Sequence, residues 1–382
     1  MRDFDIVVYG ATGFTGRLVA EYLVAEEAPR WAMAGRSLAK LQEVRDLIGA
    51  PADLPLIVAE SDDAAALKAM AERAHVVLTT VGPYQLYGNQ LVAACAATGT
   101  AYVDLCGEPA WMRHMIDAHH AEAQRTGSRI VFSCGFDSIP FDLGVQTLQD
   151  CARAKYGHPA PRVKGRVRAM KGTFSGGTAA SARATLAAAA RDPATIGLLT
   201  NPFALTPGFS GPHQPTGMLP EFDATLNTWV APFVMAAINT KNVHRTNFLL
   251  GHPYGTDFVY DEMMVAGLGD MGKAAAEAIA KFNPFSGSGG PKPGEGPSKE
   301  ERETGYYDLL FVGLMPDGAR FDAVVTGDRD PGYGSTSKMI AETARCLVET
   351  PGDGGVWTPG ALLGKTLRDR LEAKAGLRFT AG

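Results

Sequence analysis

The chain is poor in cysteine: 5 in 382 residues (Cys95, Cys106, Cys134, Cys151 and Cys346), scattered, odd in number and without a C-x-x-C. That excludes a disulfide framework and fits free thiols in a reducing compartment. Positive charge is not in excess either. Lys and Arg number 36 against 41 Asp and Glu, a net charge of −5, so there is no basic field for nucleic acid. No apolar run reaches the roughly 20 residues that span a bilayer, which leaves contact with a membrane surface open. The first strand pattern starts almost at Met1, so no signal peptide is expected and the expected location is cytoplasmic. Histidine is sparse, and the group His114, His119, His120 and Glu122 has spacings that do not converge on one helix face, so no metal site is expected. No internal repeat is visible. What remains, 46% hydrophobic and 20% charged, is an ordinary globular chain long enough for two domains, with a homodimer left open.

The organising stretch is FDIVVYGATGFTGR, Phe4 to Arg17. Ile6 to Tyr9 form a buried-strand pattern, a glycine turn follows at once, and a helical pattern follows that. Gly10, Gly13 and Gly16 are spaced G-x-x-G-x-x-G. Gly10 lets the chain turn off the strand, Gly13 lets backbone N–H groups approach a pyrophosphate, and Gly16 lets the helix pack close to the sheet. The phosphates then lie on the positive end of the helix. Strand, glycine turn and helix in that order predict a dinucleotide site built on Gly10, Ala11, Thr12, Gly13, Phe14, Thr15 and Gly16.

Up to about Gly135 strands and helices alternate. Strands are expected at Ile6–Tyr9, Arg30–Ala34, Leu56–Ala59, Val76–Val81, Ala101–Leu105 and Arg129–Ser133. Ser37 and Asp62 are expected to cap two of the intervening helices. Such alternation predicts a parallel sheet covered on both faces. After Gly135 the rhythm breaks. A helix is expected near Asp142–Lys155 and another, alanine-rich, at Gly177–Arg191; Asn201–Pro220 reads as a long irregular loop. Val163–Lys171, Asp257–Val265 and Tyr306–Leu314 read as strands, the last paired to Arg320–Thr326 across Met315-Pro316-Asp317-Gly318-Ala319. Pro284–Glu303 is rich in glycine, proline and charge, and reads as a flexible surface loop, with a lid over the active site as the other reading. The chain ends in helical patterns at Ser335–Glu349 and Pro359–Ala375. The expected fold class is α/β. A Rossmann-type parallel-sheet domain comprises 1–135 and 332–382, and a second α+β domain with a mostly antiparallel sheet comprises 136–331.

Several motifs occur together: GATGFTG, AGR, TTVGPY (Thr79 to Tyr84), YVDLCGE (Tyr102 to Glu108), CGFDSIPFDLG (Cys134 to Gly144), and later DRDPGYGST and GGVWTPGALLG. The set resembles the saccharopine dehydrogenase-like oxidoreductases over almost the whole chain, and within them the bacterial branch that includes trans-acting enoyl reductases of glycolipid synthesis. The resemblance implies a Rossmann domain with a substrate domain, and NADP(H) rather than NAD(H). True saccharopine-forming enzymes bind an amino-diacid with several Arg and Lys side chains. The middle region here is apolar and aromatic, which suits a lipid-like acyl substrate better. The expected activity is reduction of an enoyl or carbonyl group of such a substrate. A saccharopine-type amino-acid dehydrogenase and a non-catalytic, lipid-associated NADP-binding protein are the alternatives.

Cofactor choice can be read from residues. NAD-preferring sites place Asp or Glu at the end of strand two, about 20 residues past the glycine turn. Here that tip carries Arg36 and Ser37 and no carboxylate, which suits the 2′-phosphate of NADP(H). The nicotinamide is expected beyond the later strands, against Val81, Gly82 and Pro83, Cys106 and Gly135. Tyr84 is the leading candidate for proton donor, with Tyr333, in GYGST, approaching from the other side. Stacking or wall-filling is the bland alternative for Tyr84. Cys106 has no histidine placed to activate it and is expected to be a packed thiol. Glu108 and Asp137 read as loop and cap carboxylates, and Ser138 or Asp137 as the cap of the next helix.

Overall fold

The structure is a computed structural model that describes residues 2–28, 30–173, 176–282 and 294–382. The first strand, β1 (Phe4–Tyr9), is almost wholly buried because the sheet around it is covered on both faces. It leads through the glycine turn into α1 (Phe14–Ala25). Then follow β2 (Trp31–Gly35), α2 (Leu38–Leu47), β3 (Leu56–Val58), α3 (Ala64–Arg73), β4 (Ala74–Thr79), a single turn α4 (Tyr84–Tyr87), α5 (Asn89–Thr98), β5 (Ala101–Val103), α6 (Pro109–Thr126) and β6 (Arg129–Val131). Ser37 caps α2 as expected, accepting the N–H of Lys40. The cap of α3 is Asp63 rather than Asp62; its carboxylate accepts the N–H of Ala66 at 2.9 Å.

The second run comprises α7 (Ile139–Tyr156), β7 (Arg162–Lys171), α8 (Gly176–Arg191), α9 (Pro193–Thr200), β8 (Glu221–Asp223), β9 (Thr228–Pro232), α10 (Ala236–Leu249), β10 (Val259–Gly267), α11 (Gly269–Lys281), α12 (Lys299–Thr304), β11 (Tyr306–Leu314) and β12 (Arg320–Gly327). Residues 201–220 carry no helix or strand, in line with their five prolines. The hairpin between β11 and β12 is present and in full register from Tyr307–Gly327 to Leu314–Arg320. Half of the expected 284–303 loop lies outside the described residues. Its end is not loop: Ser298 and Glu301 form a reciprocal capping box that starts α12.

A wide turn, Pro331–Ser335, opens the last part, followed by α13 (Thr336–Glu349), β13 (Gly355–Trp357), α14 (Pro359–Leu362), α15 (Gly364–Lys374) and β14 (Leu377–Ala381). The single helix expected from Pro359 is thus two, broken at Gly364, whose φ is +45°. The two short strands are a further difference from the sequence reading, which expected helices alone.

Two seven-stranded sheets result. The first runs β13-β6-β5-β4-β1-β2-β3, and each of its pairs is parallel. The second runs β14-β12-β11-β7-β10-β9-β8. It is mostly antiparallel, but β10 pairs parallel to β7. The strand order of the first sheet reverses between β1 and β4, which places a ligand crevice beyond the carboxyl ends of these strands.

Candidate active site

The crevice begins at the glycine turn. Gly10 adopts φ +90°, and a Cβ on it would lie 2.7 Å from Val81 Cγ2. A Cβ on Gly16 would lie 2.1 Å from the carbonyl oxygen of Gly10, so strand end and helix start could not meet. Gly13 is the N-cap of α1 and offers no side chain to its first N–H groups. Those donors and the helix dipole suit a pyrophosphate. Thr80 and Val81 close the turn from β4: the Thr80 N–H bonds the carbonyl of Tyr9 at 3.0 Å, and the Thr80 hydroxyl lies 3.3 Å from the carbonyl of Gly10.

At the adenosine end, β2 stops at Gly35 and Arg36 stands exposed, with no hydrogen bond or ion pair among the described residues. The Ser37 hydroxyl accepts the Lys40 N–H at 3.4 Å and keeps its own proton to donate. An open cavity along Val58, Ala59, Glu60 and Asp62 flanks this end. These residues fit a dinucleotide with a 2′-phosphate: backbone donors at the pyrophosphate, an unpaired guanidinium at the ribose.

At the nicotinamide end three loops interlock. Asp104, just past β5, is completely buried. Its Oδ1 accepts the N–H of Cys106 at 3.0 Å and of Ser133 at 2.9 Å, and its Oδ2 accepts the Tyr102 hydroxyl at 2.9 Å. Burial pushes its carboxyl up to about 7, against the opposing hydrogen bonds. Glu108 is also buried, and its two oxygens accept the N–H groups of Tyr84 and Gln85 at 2.9 Å each. It shapes the 80–87 loop, as a loop carboxylate should. Cys106 is fully buried; its Sγ accepts the Glu108 N–H at 3.3 Å, and burial holds the thiol well above its usual range. Only its backbone can face a cofactor. Gly135 is wedged between loops, since a Cβ would lie 2.9 Å from Leu105 Cδ2 and 3.0 Å from Thr336 Cγ2.

The two tyrosines are placed differently. Tyr84 is buried with its ring against Trp111, and its hydroxyl accepts the N–H of Leu105 at 3.0 Å and faces the carbonyl of Thr79 at 3.5 Å. Burial keeps the phenol well above its usual range. This geometry makes Tyr84 a strut between β4 and β5 and does not suit the proton-donor role expected of it. Tyr333 meets the ring of Phe14 edge-on, with centroids 5.2 Å apart, and its hydroxyl pairs with that of Thr178 at 3.1 Å. Ser138 occupies the cap position of α7 but makes no capping bond; its hydroxyl instead accepts the side-chain amide of Asn242 at 2.8 Å. Asp137 caps nothing: its Oδ1 is sealed from solvent without a partner.

Sequence reasoning missed the roof of the crevice. Thr178, Ser181 and Thr185 of α8 fall on one helix face. Thr178 meets Tyr333, Ser181 lies 3.6 Å from where a Gly82 Cβ would be, and Thr185 accepts the Gln85 amide at 3.3 Å. None of the described side chains of α8 is fully buried, so the helix rests on the loops without being locked to them. Under its far end lies a cavity of about 200 Å³ between Gln85, Trp111, Met115, Thr185, Ala188 and Thr195. The alanine richness of α8 was visible in the sequence; its position was not.

A reversing parallel sheet, an open helix end after a glycine turn and a second sheet closing the crevice define an oxidoreductase that uses a nicotinamide dinucleotide. Residues 6–131 match the family model of the saccharopine dehydrogenase NADP-binding domain. A putative trans-acting enoyl reductase of Mycobacterium tuberculosis (strain ATCC 25618 / H37Rv) is 41% identical over 403 residues, covering 97% of this chain and 96% of that protein. A trans-acting enoyl reductase of Mycobacterium leprae (strain TN) is 37% identical over 407 residues, with the same shares. Among solved structures, apo saccharopine dehydrogenase (L-Glu forming) from Saccharomyces cerevisiae aligns with TM-score 0.53 at 11% identity over 99% of both chains. Homospermidine synthase from Legionella pneumophila in complex with NAD aligns with TM-score 0.55 at 11% identity over 99% of this chain and 91% of that one. At such identities these two speak for the fold alone. The chain belongs to the saccharopine dehydrogenase-like oxidoreductases, in the branch of the trans-acting enoyl reductases.

Proposed function

We propose that this protein is an NADPH-dependent enoyl reductase that saturates the double bond conjugated to the carbonyl of a hydrophobic, lipid-like acyl substrate. The observation that carries the reading is the match, over nearly the full length, to relatives named as trans-acting enoyl reductases. The reading places the protein in lipid metabolism, acting in the cytoplasm. The dinucleotide-binding part comprises 1–135 with α13 and β13.

NADPH, when bound, supplies a hydride. The chain positions it: the Gly10–Gly16 turn and the start of α1 hold the pyrophosphate, Arg36 and Ser37 hold the 2′-phosphate, and Val81, Gly82, Pro83, Cys106 and Gly135 offer backbone to the nicotinamide. In this reading Tyr333, rather than Tyr84, gives a hydroxyl to the substrate carbonyl oxygen as charge develops there. For the alternative of an amino-diacid substrate, four of the β7 cations are already paired. Arg162, Lys164, Arg166 and Arg168 of β7 are all committed to ion pairs with Asp223, Asp261 and Asp308.

The test is turnover with two probes. NADPH should be consumed with an α,β-unsaturated hexadecenoyl thioester of coenzyme A, and NADP+ should not be reduced with saccharopine. The opposite pattern would establish the amino-acid dehydrogenase reading instead.

A further inference from the structure

Where the β6–α7 loop meets the second sheet, a buried group of oxygen acceptors is left without enough protons. Asn239 and Asn242 lie one turn apart on α10, both completely buried. Asn239 donates its amide to Glu262 Oε2 at 2.9 Å, and Tyr260 donates its hydroxyl to Glu262 Oε1 at 2.9 Å. Asn242 donates to the Ser138 hydroxyl at 2.8 Å. That leaves Asn239 Oδ1, Asn242 Oδ1 and Asp137 Oδ1 buried and unpartnered. Every one of these is an acceptor, and none meets a donor among the described residues. Room for the group is built in. Gly165, the register partner of Glu262 on β7, has no side chain, and a Cβ there would lie 2.8 Å from the Tyr260 hydroxyl and 3.0 Å from Glu262 Cγ.

We propose that Asp137, whose Oδ1 is buried without a partner in the loop at the nicotinamide end, is the acid that protonates the substrate's α-carbon. The inference rests on the enoyl reductase reading above. Asp137 belongs to the loop that follows β6, beside the β5 loop at the nicotinamide end, and is only half-buried. The substrate gains a hydride at its β-carbon, with two electrons from the dihydronicotinamide, and the double-bond pair shifts towards the α-carbon and carbonyl. The Asp137 O–H bond then breaks, a C–H bond forms at the α-carbon, and the Asp137 carboxylate is reprotonated from solvent. The acyl chain is reduced by two electrons and the dinucleotide oxidised by two. Protonation at rest agrees with this. Burial raises Asp137 to about 7, and burial with the nearby charge of Asp137 raises Glu262 to about 8 against the hydrogen bonds of Asn239 and Tyr260. The groups bearing on Glu262 are Tyr260 and Asp261 of β10, Asn239 of α10 and Asp137; burial alone raises Asp137.

The test combines infrared spectroscopy with kinetics. At neutral pH the infrared difference between the wild-type protein without substrate and Asp137→Asn should contain a protonated-carboxyl stretch. With NADPH and the α,β-unsaturated hexadecenoyl thioester of coenzyme A, Asp137→Asn should turn over about 10²- to 10⁴-fold more slowly, with NADPH affinity unchanged. In the wild type, kcat should fall as pH rises through the ionisation of Asp137. Glu262→Gln replaces a carboxyl that is itself protonated through this range with a neutral amide and should leave that alkaline limb in place. Normal turnover in Asp137→Asn, or no protonated-carboxyl stretch in that difference spectrum, overturns the proposal. Should the wild type turn over no enoyl thioester, the functional reading fails, while the infrared difference still decides whether Asp137 holds a proton.

Discussion

The ring of Phe14, the first residue of α1, meets the ring of Tyr333 edge-on with centroids 5.2 Å apart. Arg302 lies over the same Phe14 ring, its guanidinium carbon 5.6 Å from the centroid. A Cβ on Gly296 would lie 2.5 Å from that ring. The pyrophosphate turn is therefore covered by three chain segments that are remote in sequence: the 296–302 stretch, the turn before α13 and, through Thr178, α8. The first of these was read as loop or lid; its described part packs on the Phe14 ring.

Cofactor preference should rest on Arg36. A charge-assisted hydrogen bond contributes about 1.5–3 kcal/mol, so Arg36→Ala should weaken NADPH binding by roughly 10- to 150-fold. NADH binding should barely change, and the loss should shrink at high salt. Dissociation constants for both dinucleotides check this; an unchanged ratio would remove Arg36 as the selector.

The tyrosines should separate by their defects. Tyr333→Phe should lower kcat by about 10²- to 10³-fold, as loss of one donor to a developing oxyanion does. Tyr84→Phe leaves the part-buried N–H of Leu105 without its partner and should cost about 1 kcal/mol of stability with kcat largely kept. Thermal unfolding and steady-state kinetics on both variants distinguish the two roles.

How far these assignments could be read from the sequence differs from element to element. The glycine turn, the alternation to β6 and the Arg36 tip were legible because each is local: a few adjacent residues dictate the backbone. The β11–β12 hairpin was legible for the same reason. The strands β13 and β14 were not. They are three and five residues long, and they pair with β6 and β12, more than 200 and about 50 residues away. The direction of the Tyr84 hydroxyl depends on Leu105 and Thr79, which no spacing rule connects to it. Asp104 lay inside a quoted motif, yet its role comes from tying two loops together in space. The unpaired acceptors around Asp137 appear only when α10 and β10 are brought against the β6 loop.

Acid sensitivity should trace to Asp223 and Arg166. Burial alone would raise the Asp223 carboxyl, but the hydrogen bond from Lys164 and the charges of Arg166 and Lys164 hold it down at about 2. A depressed folded value means stability that is present above the ordinary carboxylate range and lost as pH falls from roughly 4 through 2. Asp223→Asn leaves the fully buried Arg166 with Asp261 alone and should cost about 3–5 kcal/mol at neutral pH. It should also flatten the acid limb. Denaturant midpoints across pH for both proteins check the sign; a variant with the wild-type acid limb would contradict it.

The roof helix α8 should move when substrate enters. The cavity beneath it is about 200 Å³, below the roughly 300–1,000 Å³ of sites that hold drug-sized molecules. A long acyl chain entering this cavity therefore shifts α8 off Gly82 and Gln85. Hydrogen exchange along 176–191 should change on adding the hexadecenoyl thioester in the presence of NADP+ and stay unchanged with NADP+ alone. No change in either case would argue for another entry route.

The central claim is that a hydride passes from NADPH to a conjugated acyl double bond in this crevice. It is tested most directly by turning over the hexadecenoyl thioester with NADPH deuterated at the nicotinamide C4 and locating the label by mass spectrometry. The account predicts a saturated acyl product with one deuterium at the β-carbon, and a second, from solvent, at the α-carbon when the reaction is run in heavy water. A product with no deuterium at the β-carbon, or no saturated product at all, would contradict it.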